Sequence, residues 1–242
     1  MKKLIVVFMA LVAGAAAFAS GTWDYGTNRV IGSGAVRTES RNVPAFTAIE
    51  VEGSGIVTLS QGIVQSLTVE TDDNIMSVVK TEVVGGVLHL GFVPGTSVGR
   101  MTRLAFRITA PRIEGIVISG SGDVRAATPL RASTISMEIR GSGTIDASVE
   151  ADSLRAAIGG SGGINVAGHA SDLSVTIDGS GALKARDLAA VTADVHVNGS
   201  GAVDVTVRDT IAISINGSGD VTYGGSAKAT VHSSGSGTAR QR

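Results

Sequence analysis

The sequence predicts an all-β chain wound as a parallel β-helix, or a close relative of one, in coils of about nineteen residues. Three observations carry this prediction. A Gly-Ser-Gly triplet recurs at near-constant spacing, apolar and polar residues alternate on both sides of it, and the composition suits a thin core of stacked backbones. Glycine reaches 33 of 242 residues while aromatics make up only 3%. A compact globule fills its centre with rings and long aliphatics, whereas Gly, Ala, Val, Ile and Ser suit backbones that approach closely. A hydrophobic content of 43% argues against disorder.

The first nineteen residues read as an export signal. Lys2 and Lys3 precede an apolar run from Leu4 to Val12, and Ala17-Phe18-Ala19 supplies the small-x-small cleavage pattern. The run is too short for a comfortable membrane span, and no later stretch is apolar and long enough to cross as a helix. The mature chain is therefore expected outside the cytoplasm, periplasmic or secreted to the cell surface, with no transmembrane segment. Residues 20–40, with Trp23, read as an extended lead-in, and 41–242 as a single β-solenoid domain.

From 41 to about 112 the pattern is present but irregular. Ile49 and Val51 precede Gly53-Ser54-Gly55, and Val57 and Leu59 follow it. Leu67, Val69, Val83, Val87, Leu88, Leu90, Phe106 and Ile108 supply further alternating strands. Val84-Gly85-Gly86-Val87 reads as a hairpin turn and 93–103 as a longer loop. This half is expected to hold irregular or antiparallel strands that cap the solenoid, since an open coil end exposes unpaired edges.

Regular coils begin at about residue 113. Triplets start at Gly120, Gly141, Gly160, Gly179, Gly199, Gly217 and Gly235, at intervals of 21, 19, 19, 20, 18 and 18 residues. Two residues before each stand Ile118, Ile139, Ile158, Ile177, Val197 and Ile215, with Ser233 breaking the column. Earlier positions hold Met137, Val175 and Ile213, then Ile135, Leu173 and Ile211. Between them lie Glu138, Arg140, Thr176, Asp178, His196 and Asn198. After each triplet Val124, Ile145, Ile164, Leu183, Val203 and Val221 resume the inward column. Arg125, Asp146, Asn165, Lys184, Asp204 and Thr222 face out. Such period-two alternation marks strands with one buried face. Matching residues one coil apart should stack at roughly 4.8 Å. The corner serines, Ser142 and Ser180 among them, are placed to hydrogen-bond one another or the backbone up the stack.

Arg41-Asn42-Val43-Pro44-Ala45-Phe46-Thr47-Ala48-Ile49 leads into Gly53-Ser54-Gly55, and Ile108-Thr109-Ala110-Pro111-Arg112-Ile113 into the main ladder. With these segments the chain resembles the bacterial family called the putative auto-transporter adhesin head, or head GIN, domain, over roughly residue 30 to the C-terminus. The resemblance implies a right-handed parallel β-helix on an exported protein of the cell envelope, with no catalytic residues. One departure concerns export. The chain ends Ser236-Gly237-Thr238-Ala239-Arg240-Gln241-Arg242 with no barrel-length continuation, so export through a barrel of its own is not expected.

The candidate chemistry is sparse. Charge is balanced at 20 Lys+Arg against 21 Asp+Glu, which leaves no basic field for nucleic acid or acidic membranes. The absence of cysteine removes disulfides, thiolate metal sites and thiol nucleophiles. The triplet serines lack a fixed His and acid partner. The polar column Arg125, Asp146, Asn165, Lys184 and Asp204 is too mixed for a calcium ladder. His89, His169, His196 and His232 read as solvent-exposed. His196 and His232 share a column two coils apart, too far to ligate one metal together. No catalytic, cofactor or metal residues are therefore expected. The remaining feature is an outward array of Thr176, Asp178, His196, Asn198, Ser214 and Asn216, flat and rich in amides and hydroxyls. It can hydrogen-bond an unknown glycan or an envelope protein, and it equally describes a solvated sheet with an Asn stack. The leading expectation is a non-catalytic envelope protein, adhesin-like or scaffolding. The alternatives are a polysaccharide lyase or hydrolase on the same scaffold, with acids or bases clustered on one face, and a structural protein whose open coil ends stack into oligomers.

Overall fold

The computed structural model describes residues 28–242. The leader at 1–19, residues 20–27 of the lead-in and Trp23 lie outside the described residues. The first strands are β1 (Asn28–Val30), β2 (Val36–Arg41), β3 (Ala48–Val51), β4 (Ile56–Gln61) and β5 (Ser66–Asp72). A 3₁₀ turn at Met76–Val78 leads into β6 (Val79–Val84), β7 (Val87–Phe92), β8 (Thr96–Val98) and β9 (Leu104–Ala110). The regular coils hold β10 (Gly115–Ile118), β11 (Asp123–Ala126), β12 (Leu130–Ile139), β13 (Thr144–Ile158), β14 (Gly163–Gly179), β15 (Ala182–Gly199) and β16 (Ala202–Gly217). Three last strands follow, β17 (Asp220–Gly224), β18 (Lys228–Gly235) and β19 (Thr238–Gln241). The result is a β-solenoid of about 7 turns with coils of about 19 residues and mixed antiparallel strands in its N-terminal half.

In the regular part every coil pairs in parallel with the next, residue on residue. Ile118 lies over Ile139, then Ile158, Ile177, Val197 and Ile215 in turn. All six are buried and belong to one core cluster that runs from Phe46 to Ala227. The column extends backward through Val51 and Leu90. It ends at Ser233, in a strand whose residues are all exposed; Val231, apolar by pattern, is 43% exposed there. The unequal coil lengths are absorbed at the turns opposite the triplets. Register slips there between Asn165 and Gly168, between Ala185 and Ala189, and between Ala190 and Thr192.

The Gly-Ser-Gly corner works through its backbone. The Ser200 N–H donates to the Gly179 carbonyl one coil back at 2.9 Å, and Ser142, Ser161, Ser180, Ser218 and Ser236 repeat the bond. Their side chains face solvent. This differs from the expected serine ladder, because the corner is convex and a Cβ there points away from the stack. The flanking glycines have no such room. Gly199 holds φ +123°, and a Cβ on it would sit 2.5 Å from the Gly179 carbonyl oxygen.

The N-terminal half stacks out of sequence order. The corner at Gly53 lies directly beneath Gly120, since β3 pairs with β10 and β4 with β11. The strands between β4 and β10 are displaced into lower layers. Beneath β3 and β4 lie β7 and β9, both parallel to them. The segment between these two replaces the glycine corner. Expected as a loop, it also contains β8, which pairs with β1. Below come β6 and β5, antiparallel to β7 and β9, and β2 pairs antiparallel with β5. The hairpin at Gly85-Gly86 has φ of +58° and +80°, positive at both positions as a type I′ turn requires. The antiparallel strands expected in this half are thus present.

One buried carboxylate ties this end together. Asp72 accepts from the Gly34 and Thr102 backbone N–H groups at 2.9 and 2.7 Å and from the Thr102 hydroxyl at 2.8 Å. The triplet Gly32-Ser33-Gly34 serves this junction and not the corner ladder. A Cβ on Gly32 would meet the Asp72 carboxylate at 2.5 Å.

Candidate functional site

One outer sheet face carries the residues singled out by the sequence. Along β14 the side chains of Leu173, Val175 and Ile177 point inward, so Asp172, Ser174, Thr176 and Asp178 point out. The in-register strands β15 and β16 add Thr192, Asp194, His196 and Asn198, then Thr210, Ala212, Ser214 and Asn216. The resulting grid has a spacing of roughly 4.8 Å across coils and about 7 Å along each strand. All six predicted residues, Thr176, Asp178, His196, Asn198, Ser214 and Asn216, occupy two adjacent columns of it. Their amides are bonded into a ladder. Asn198 Nδ2 donates to Asp178 at 2.7 Å, and Asn216 Nδ2 donates to Asn198 Oδ1 at 3.0 Å. Each amide is therefore held in one orientation, with its remaining polar atoms toward solvent.

Beside the ladder the face dips into a shallow trough of about 600 Å³, floored by Leu173, Ala193 and Ile211 and edged by Asp172, Ser174, Thr192 and Lys228. The Thr192 hydroxyl donates to Asp172 at 2.6 Å. The trough was not singled out in the sequence, although the same alternation that marks the ladder marks its columns two and four residues upstream.

The opposite end of this face is charged. In register order β6, β7, β3, β10 and β12 bring Lys80, His89, Glu50, Glu52, Ser119 and Arg140 together. Lys80 Nζ donates to both Glu52 oxygens at 3.1 and 3.0 Å, and His89 Nδ1 lies 2.9 Å from Glu52 and 3.5 Å from Glu50. The Ser119 hydroxyl donates to Glu50, and Arg140 approaches the same carboxylate at 3.6 Å. Burial works to raise the Glu52 pKa, but hydrogen bonds and charge from Lys80 and His89 outweigh it and hold the carboxyl below its ordinary value.

This cluster corrects the reading of His89. His169, His196 and His232 are solvent-exposed as expected, but His89 is half-buried between two carboxylates. Its contacts come from strands far apart in sequence, so no local spacing could signal them. The donor atoms of Glu50, Glu52 and His89 lie within 4.8 Å of one another. Lys80 is placed against Glu52, while Arg140 lies 3.6 Å from Glu50 and is bonded to Glu138 at 2.7 and 3.2 Å. The Ser119 hydroxyl donates to Glu50 while His89 faces the carboxylates of Glu50 and Glu52, so the three do not form the hydroxyl–imidazole–carboxylate order of a serine hydrolase. A general acid at neutral pH needs a raised pKa, and that of Glu52 is lowered.

The model of the family described as putative auto-transporter adhesin, head GIN domain, matches residues 45–227. The chain belongs to that family. The match begins just before β3 and ends beyond β17, so it takes in the displaced N-terminal layers of this head GIN domain as well as its ladder. A crystal structure of a putative adhesin from Bacteroides fragilis superposes with a TM-score of 0.84 at 23% identity, over 88% of this chain and 100% of that one. A putative adhesin from Parabacteroides merdae gives 0.72 at 21% identity, over 89% and 99%. A chain named a putative lipid binding protein, from Parabacteroides distasonis, gives 0.72 at 22% identity, over 88% and 99%. These likenesses establish the fold. No curated protein matches the chain. No helix among the described residues is long and apolar enough to cross a membrane.

Proposed function

We propose that this head GIN domain is a non-catalytic, exported envelope protein that holds a glycan or a protein partner against the outer face of β14, β15 and β16. The observation that carries the reading is the bonded ladder of Asp178, Asn198 and Asn216. A ladder of amides already held in place binds polar ligands with less of the ordering cost that flexible side chains incur. The adhesin names within the family and among its structural neighbours agree with a binding role. At the other end of the face, the bonding order at Ser119 speaks against a serine-hydrolase triad and the lowered pKa of Glu52 against a general acid at neutral pH.

The test is binding of the purified protein to a glycan array and to whole cells, alongside an Asp178→Ala/Asn198→Ala/Asn216→Ala variant with an unchanged unfolding midpoint. Binding by the wild type that the variant loses supports the reading. Signal no higher than background for the wild type overturns it. A second reading, self-association, is favoured by β18, whose outer edge pairs with no strand among the described residues and whose Val231 is exposed. Sedimentation that shows only monomer at high concentration disposes of it.

A further inference from the structure

Strand pairing sets two columns of side chains next to each other at the charged end of the outer face. His89 on β7 lies against Glu50 on β3, and in the next column Lys80 on β6 lies against Gly91, which in turn lies against Glu52. Gly91 is what lets the two columns close on one another. A Cβ at that position would sit 2.8 Å from the Glu52 carbonyl oxygen and 3.0 Å from the Glu52 Cβ, so the absent side chain leaves the seat that Glu52 occupies.

Donor atoms of three residues thereby converge. His89 Nδ1 lies 2.9 Å from Glu52 Oε1 and 3.5 Å from Glu50 Oε2, and each residue of the trio offers a donor within 4.8 Å of the other two. Bonds of about 2.0–2.1 Å to one tetrahedral or octahedral ion hold neighbouring donors about 2.9–3.4 Å apart. The other oxygen of each carboxylate is held from outside the trio. Glu50 Oε1 accepts from the Ser119 hydroxyl, and Glu52 Oε2 accepts from Lys80 Nζ at 3.0 Å. Outer bonds of this kind are what orient ligating side chains in metal sites.

Charge points the same way. Arg140 is engaged by Glu138, so Lys80 alone stands in close contact with the Glu50 and Glu52 pair. With the imidazole neutral, two carboxylates against one ammonium leave one negative charge, and the Glu50 and His89 side chains are only 20% and 21% exposed. Charges withdrawn from water are paired or coordinate metals. We infer that Glu50, Glu52 and His89 form a binding site for a first-row divalent transition-metal ion, zinc being the one that suits an imidazole with two carboxylates. Calcium is a poorer match, because it takes about six to eight oxygen ligands. The ion fastens β3 to β7, where the displaced N-terminal layers meet the first corner. The site is separate from the amide ladder and does not depend on that ladder binding anything.

The experiment is calorimetric titration of zinc into the untagged exported protein, first stripped with a chelator, alongside His89→Gln, Glu50→Gln and Lys80→Met variants. Unfolding in the presence of chelator checks that each variant is folded. The wild type should bind one equivalent, and His89→Gln and Glu50→Gln should each weaken that binding at least about tenfold. Lys80→Met should tighten it at least about threefold, because it removes a like charge that shares Glu52 Oε1 with the ion at 3.1 Å. Zinc at about a hundredfold excess over its Kd should raise the wild-type melting temperature by roughly 5 °C and leave that of His89→Gln unchanged. A wild type that binds no stoichiometric zinc overturns the proposal. Equal binding by His89→Gln does so too, since it places the ion on the exposed His169, His196 or His232. Unchanged or weaker binding by Lys80→Met also overturns it. Zinc-soaked crystals of the wild type give a check that needs no variant to fold. Anomalous scattering at the zinc edge is expected between Glu50, Glu52 and His89, and a peak found only elsewhere overturns the assignment.

Discussion

Replacing Gly199 by alanine tests the corner on which the stack depends. The residue holds φ +123°, outside the regions open to a side chain, and its new Cβ would lie 2.5 Å from the Gly179 carbonyl oxygen. That oxygen cannot move freely, because it accepts the Ser200 N–H at 2.9 Å. The unfavourable backbone conformation costs about 1–3 kcal/mol, and overpacking against a fixed neighbour about 1–3 kcal/mol more. Losing the Ser200 bond removes about 1 kcal/mol. Together the change should destabilise the fold by about 3–7 kcal/mol, a large part of an ordinary domain's margin. Urea unfolding followed by circular dichroism reads this as a midpoint lowered by at least about 1 M, given slopes of a few kcal/mol per molar. Ser200→Ala, one residue away with its side chain in solvent, should stay within about 0.5 kcal/mol of wild type. An unchanged midpoint for Gly199→Ala, or equal damage from Ser200→Ala, would refute the reasoning.

Three further perturbations probe the core, the outer face and the charged groups. Ile177→Asp places an unpaired charge between Ile158 and Val197 in a fully buried column, at a cost of several kcal/mol, and should leave no cooperative unfolding transition; a soluble variant that melts cooperatively near the wild-type midpoint contradicts this. Asn198→Ser, on the outer side of the same strand pair, should by contrast be nearly silent for stability. Acid should destabilise the N-terminal layers. Backbone hydrogen bonding from Thr102, chiefly, holds the Asp72 carboxyl below its ordinary 3.8, and Glu52 is held below its ordinary 4.5 by Lys80 and His89 against the opposing effect of burial. A depressed folded-state pKa contributes stability that is complete above the unfolded value and is lost as pH falls through the folded one. Melting temperature should therefore be level above about pH 5 and fall below about pH 4. A rise in stability over that acid range would contradict the assignment.

Much of the candidate face was legible because it obeys the local rule. Alternation fixed the outward side of β14, β15 and β16, and the triplet spacing placed Asp178, Asn198 and Asn216 in one column, where they are found bonded. The corner serines were misjudged for a geometric reason, since period alone does not tell whether a turn is convex. The charged cluster was invisible for a different reason. His89 meets Glu50 and Glu52 across strands that are 37 or more residues apart in sequence, and nothing in the spacing of either segment refers to the other.

The sequence by itself determined the coil, its length, and which side chains enter the lumen, because side-chain direction along a strand repeats every two residues and needs no knowledge of the partner strand. Only the tertiary structure decided how the coils are ordered. The Gly53 corner sits directly under the Gly120 corner, the strands from β5 to β9 lie in layers below, and the identical triplet at Gly32 belongs to the Asp72 junction. Strand pairing is settled by which apolar edges can be covered at once, a property of the whole chain that no local window contains.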